Sequence, residues 1–170
     1  MEQLLRPYQT TLERLIAIPR VSRTVSAVIL AEIGSDMSRF PTAGHLLSWA
    51  GVCPRSHESA EKRLSTRTRP GTPWLKTTLV QAAWGAVRRR DSYLHAQFSR
   101  LKSRRGPKKA ILAVAASILT AAYHMLRNDL PYRDLGADYF VRRDKAKLTR
   151  RLVRRLHELG VEVEIRTAVA

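Results

Sequence analysis

The longest apolar stretch of the chain, Ala110 to Met125, constrains its fold more than any other feature. It is Ala-rich, carries Ser117, Thr120 and His124, and falls short of the roughly 20 strongly apolar residues that a membrane span needs. Such a segment reads as a buried core helix over roughly residues 108–127, with His124 as a packing residue rather than a ligand. The rest of the chain must then supply partners that wrap it. With 170 residues and 44% apolar content, one real core can be buried, as one domain or two small subdomains.

Charge is the second constraint. Thirty-one Lys and Arg stand against 14 Asp and Glu, a formal net charge of +17. Residues 54–109 hold 15 basic and 3 acidic residues, and residues 142–155 hold 8 basic and one acidic, so these segments carry +12 and +7 while the remainder sums to −2. A solvated face usually mixes signs, and these two do not. The expected partner is a polyanion, with nucleic acid ahead of a membrane surface. Charge alone does not separate a catalyst from a passive binder.

Cys53 is the only cysteine, so an intramolecular disulfide and a cysteine-clustered zinc site are excluded, and a reducing, cytoplasmic setting fits. Residues Met1 to Arg6 lack the basic and apolar regions of a secretory signal.

The periodicity predicts a mostly α, compact helical domain. Leu4, Leu5, Tyr8, Leu12, Leu15 and Ile16 mark an amphipathic helix over 1–17, re-aimed at Pro7. Ile18 to Ser22 breaks it, and Val25, Val28, Ile29 and Ile33 continue to a cap at Gly34. This helix, turn, helix resembles a degraded helix-hairpin-helix, with Arg20 and Ser22 standing where phosphate-approaching glycines would be. Either Arg20 meets a phosphate by charge or the hairpin is structural. A short helix over 42–50 follows, and then a long basic loop from Val52 to Gly71. Thr72 and Pro73 open the next helix, Ser92 to Leu101 forms another, and Lys102 to Lys109 reads as a basic linker. Beyond the core helix, a basic amphipathic helix stops at Gly160, and the alternation of Val161 to Ile165 predicts a short C-terminal strand.

No acidic cluster of the kind a two-metal nuclease needs is visible, and the five histidines lack ligand spacing, so no metal site is expected within the chain. Glu32 and Asp36 are explained by capping or solvation. The basic loop differs, because it sets His57, Glu58 and Ser59 among Arg55, Lys62, Arg63, Arg67 and Arg69 ahead of a helix N-terminus. A serine hydroxyl attacks phosphorus only with a base or with charge neutralised at the phosphate, which arginines and helix N–H groups supply. A serine in a loop is also a common turn former or cap, and spacing leaves both roles open.

Several runs carry a family resemblance: Ile18-Pro19, Ala31 to Gly34, Arg39 to Pro41, Gly51 to Pro54, Glu58 to Arg63, Trp74-Leu75 and Ala82 to Trp84, with Gly136 to Phe140 and Leu159 to Val163 near the end. In this order they resemble the C-terminal transposase domain of the IS110/IS116/IS902 insertion-sequence family, relatives of the Piv-type invertases. The resemblance implies a DNA recombinase acting in transposition through a serine nucleophile, and by position that serine is Ser59, with Ala60 in place of the commoner glycine. It further implies an N-terminal RuvC-like half whose four acidic residues bind divalent metal such as Mg, and a coiled coil. A structured guide RNA, DNA at the element ends and target, and a homo-oligomer when full length are implied as partners, with no membrane and a nucleoid-associated location in the cytoplasm.

On this reading residues 1–17 are the end of a coiled-coil linker, 18–141 the serine-bearing domain, and 142–170 a basic helix with a strand tail. The chain looks truncated, with no cofactor of its own, and the isolated chain is expected to bind nucleic acid without exchanging strands. The candidate catalytic residue is Ser59. Candidate contacts to nucleic acid are Arg55, Lys62, Arg63, Arg67 and Arg69 in the loop, Lys76, Arg88, Arg89 and Arg90 on the helix that follows, and Arg104, Arg105, Lys108 and Lys109 around the linker. Two rivals remain: a non-catalytic nucleic-acid-binding remnant, and a structural RNA-binding protein.

Overall fold

The Ala-rich segment lies at the centre of a helical bundle. The computed structural model describes residues 6–53, 57–59, 62–65, 68 and 70–163, and among these it holds seven α-helices and one short antiparallel strand pair. Helices α1 (Gln9–Ile16), α2 (Arg23–Ile33) and α3 (Ala43–Trp49) are followed by β1 (His57–Ser59) and β2 (Lys62–Ser65). Then come α4 (Pro73–Ala86), α5 (Tyr93–Arg105), α6 (Pro107–Asn128) and α7 (Tyr139–Glu158). Single 3-10 turns at Arg6–Tyr8 and Met37–Arg39 precede α1 and α3. The fold is mostly α, as the periodicity predicts.

Helix α6 buries Ala110, Ile111, Val114, Ala115, Ile118, Leu119, Ala122, Tyr123 and Met125, a spacing of three and four that marks one broad face. Helices α4 and α5 pack on it most extensively, and α1, α3 and the Met37–Arg39 turn complete the wrap. At 22 residues α6 is long and apolar enough to cross a membrane, longer than the apolar run alone implied. Half of its most apolar window is buried against neighbouring helices, which assigns it to the core. Truncating fully buried Ile118 or Leu119 to Ala would cost about 2–5 kcal/mol. His124 corrects its sequence reading: it is exposed, with only an edge contact to the Tyr123 ring.

Local chemistry explains most boundaries. Ser22, Thr42 and Ser92 cap α2, α3 and α5, accepting from the backbone N–H of Val25, His45 and His95. Gly34, at φ +75°, ends α2 as expected. Thr72 holds the cap position of α4 ahead of Pro73, but its hydroxyl is buried without a partner. In the turn between α1 and α2, Arg20 itself takes a positive φ of 64°. Its aliphatic stem lies on Gly85 of α4, where a Cβ would stand 3.3 Å from Arg20 Cβ and Cγ. With Ser22 engaged as a cap and Arg20 packed on a helix, both hairpin positions have local structural roles.

Three expectations need correction. The long loop contains the β1–β2 pair. The linker over 102–105 is helical and belongs to α5, because Lys and Arg are good helix formers and only Gly106, at φ +79°, and Pro107 break the run. Val161 to Val163 form no strand, and Glu164 and Ile165 lie outside the described residues.

Candidate nucleic-acid interface

The arm between α3 and α4 carries the candidate nucleophile. Antiparallel pairing sets His57 opposite Ser65, Glu58 opposite Arg63 and Ser59 opposite Lys62, with an irregularity between His57 and Glu58. Backbone hydrogen bonds make this ladder, so it forms without the apolar alternation that would reveal it in sequence. Ser59 thus closes β1 in register with Lys62, one step from Arg63. Arg55, Arg67 and Arg69 lie outside the described residues, as do Ala60 and Glu61. Where the arm returns, Lys76 Nζ donates to Thr68 Oγ1 at 2.9 Å, tying that candidate to the arm.

The other candidates occupy two corners of the bundle. Arg88, Arg89 and Arg90 are exposed just past α4. Arg104 and Arg105 are exposed in the last turn of α5, where cations complement the negative end of the helix dipole. Lys108 and Lys109 are different. They are exposed in the first turn of α6, at the positive end of the dipole, with no acidic residue in that turn. Cations placed against their own helix's electrostatics suit an external anion better than they suit the helix.

One exposed aromatic was missed by the sequence reading. Trp74, in the first turn of α4, is 76% exposed, and its sequence signals, a place beside Pro73 and the Trp74-Leu75 run of the resemblance, gave it no contact role. The basic segment 142–155 lies on α7, which α5 holds through aromatic contacts. Phe140 stacks on Tyr93 at 5.2 Å and 22°, Tyr139 meets Tyr93 edge-on at 5.2 Å, and Arg100 Nη1 lies 2.6 Å from Asp144 Oδ2. Among the described residues, no group of three or more His, Cys, Asp or Glu is placed to hold a metal ion. Asp36 instead caps the Met37–Arg39 turn, accepting from the Ser38 backbone N–H at 2.8 Å and the Ser38 hydroxyl at 2.7 Å. These bonds hold its carboxyl below the usual range.

The described residues form a mostly helical domain with a short strand pair between α3 and α4 and basic clusters at the ends of α4 and α5. The sequence pattern of the Transposase IS116/IS110/IS902 family matches residues 12–99, and the chain belongs to that family. The match runs from α1 into α5 and includes the whole arm, while α6 and α7 lie beyond it. No curated protein matches the chain.

Proposed function

We propose that this domain holds DNA during transposition and presents Ser59 to a scissile phosphodiester. The observation that supports the reading best is the β1–β2 register, which pairs Ser59 with the basic residue Lys62 across the two strands. In the proposed step the Ser59 Oγ–phosphorus bond forms as the bond from phosphorus to one sugar oxygen breaks. The hydroxyl proton leaves to a base, the departing oxygen takes a proton from solvent, and a phosphoserine ester remains. Arg55, Lys62, Arg63, Arg67 and Arg69 would neutralise the charge that builds on the phosphate. Lys76, Arg88, Arg89, Arg90, Arg104, Arg105, Lys108 and Lys109 would hold the flanking backbone. Divalent metal, a structured guide RNA and a second copy of the chain are partners of the complete enzyme on this reading.

The test uses the domain joined to the acidic RuvC-like half, with donor and target DNA. Ser59→Ala is expected to abolish both strand exchange and the covalent protein–DNA adduct while retaining DNA binding. Recombination by Ser59→Ala at the parent rate overturns the nucleophile assignment. Salt-sensitive binding by the parent without any adduct points instead to a non-catalytic remnant.

A further inference from the structure

Helices α5 and α7 leave between them a groove of about 1380 Å³ lined by Arg100, Arg104, Arg143, Arg150, Arg151 and Arg154, with Asp144 as the one carboxylate among its described lining residues. That carboxylate is already engaged. Asp144 Oδ2 lies 2.6 Å from Arg100 Nη1, its Oδ1 lies 3.4 Å from Arg143 Nε, and the bond to Arg100 is the main cause holding its pKa below the ordinary value. Arg104 and Arg151 have no acidic partner among the described residues, and Arg154 reaches only Glu158 on its own helix, at 3.7 Å. Guanidinium groups gathered at this density repel one another unless a polyanion lies among them.

The groove's aromatic ring narrows the choice of polyanion. Phe140 is stacked on Tyr93, with the guanidinium carbons of Arg100 and Arg143 at 5.0 Å and 5.5 Å from its centroid. A splayed base entering the groove would find no free ring to stack on, which disfavours the usual mode of single-strand binding. A duplex keeps its bases stacked and offers phosphates from outside, where arginines on two walls can grip them. Of the two polyanions in the proposed reading, DNA and a structured RNA, DNA is the one that transposition itself cuts and joins, which favours it as the occupant.

We propose that the α5–α7 groove seats one backbone edge of duplex DNA without regard to sequence. The proposal rests on the nucleic-acid reading of the domain and is independent of the role of Ser59. It is tested with the full chain and a labelled duplex of arbitrary sequence, by fluorescence polarisation across a salt series. The double variant Arg104→Gln/Arg151→Gln is compared with Arg6→Gln/Arg39→Gln, which removes the same charge elsewhere. The groove variant is expected to bind several-fold more weakly, with the slope of log affinity against log salt reduced by about 1.8, and the control variant to change far less. Saturating duplex is also expected to protect Arg104 and Arg151 of the unsubstituted protein from phenylglyoxal, a readout that needs no variant.

Equal losses from the two variants, or no protection of Arg104 and Arg151, overturn the groove as a seat. Tighter binding of a single strand than of the duplex overturns the backbone-edge argument, and an RNA hairpin whose affinity alone falls in the groove variant overturns the assignment to DNA. A parent protein that binds no nucleic acid at all sinks the broader reading, which is a separate result from failure of the groove variant alone.

Discussion

Gly71 packs its backbone onto the carbonyl of Ala50. A Cβ at Gly71 would overlap that oxygen and stand 2.7 Å from the Gly51 nitrogen, and its φ of +61° is a conformation L residues rarely adopt. Close by, Val52 is buried and its N–H donates to the Leu47 carbonyl at 3.1 Å. The chain bearing Ser59 therefore leaves the bundle and rejoins it at one place, so the arm is anchored at both ends. Gly71→Ala is expected to lose about 2 kcal/mol or more in urea unfolding, from backbone strain plus displacement of the α3 end. It should also weaken DNA binding by the arm. An unchanged unfolding midpoint would show that this contact does not anchor the arm.

The end of α6 is fastened to the segment ahead of α3 by one buried phenol. The Tyr123 hydroxyl lies 3.0 Å from the Phe40 carbonyl and 3.2 Å from that of Pro41, and Arg127 bonds both the Tyr123 hydroxyl and the Pro41 carbonyl. Tyr123→Phe is expected to cost about 1–2 kcal/mol, because Phe40 loses its main donor while Pro41 keeps Arg127. The double variant with Arg127→Ala should cost more or less than the two single changes combined, since the two side chains share acceptors. Strict additivity in urea titrations would refute a shared network.

How legible these features were depends on whether side-chain pattern or tertiary contact creates them. Helix α6 was readable because three-and-four spacing of apolar residues is itself the cause of its burial, and Gly34 because a positive φ selects glycine. The β1–β2 pair was not, since His57–Ser59 and Lys62–Ser65 are polar apart from Leu64 and pair through backbone bonds. The excess charge of residues 142–155 was plain in sequence. Its partner wall was not, because only the fold brings Arg100 and Arg104 of α5 alongside α7 and uses Tyr93 to hold Phe140.

Tyr132 gives the fold a limit in alkali. Burial is the main cause that pushes its phenol up to about 12, with the nearby Asp134 carboxylate adding to the shift. A folded pKa above the unfolded value of about 10 means that Tyr132 contributes stability fully below pH ~10, and that this contribution is lost as pH rises toward 12. Unfolding free energy should therefore fall across that window, and Tyr132→Phe should flatten the fall. In a spectrophotometric titration of tyrosinate, the late step should disappear in Tyr132→Phe. A variant with the parent's full titration curve would assign that step to another tyrosine.

Trp74 offers the sharpest test of whether the arm side of the bundle meets nucleic acid. An indole that is 76% exposed in the first turn of α4 adds nothing to the core, so Trp74→Ala should leave the melting temperature almost unchanged. A base stacked on such a ring contributes about 1–3 kcal/mol, so the same variant should bind a single-stranded oligonucleotide about tenfold or more weakly. Trp74→Phe keeps a flat ring and should recover part of the loss, whereas a purely electrostatic surface would treat Ala and Phe alike. Because the α5–α7 groove holds no free ring, Trp74→Ala should leave duplex binding much less affected than single-strand binding. Equal weakening of both, or of neither, would show that Trp74 is not a stacking platform.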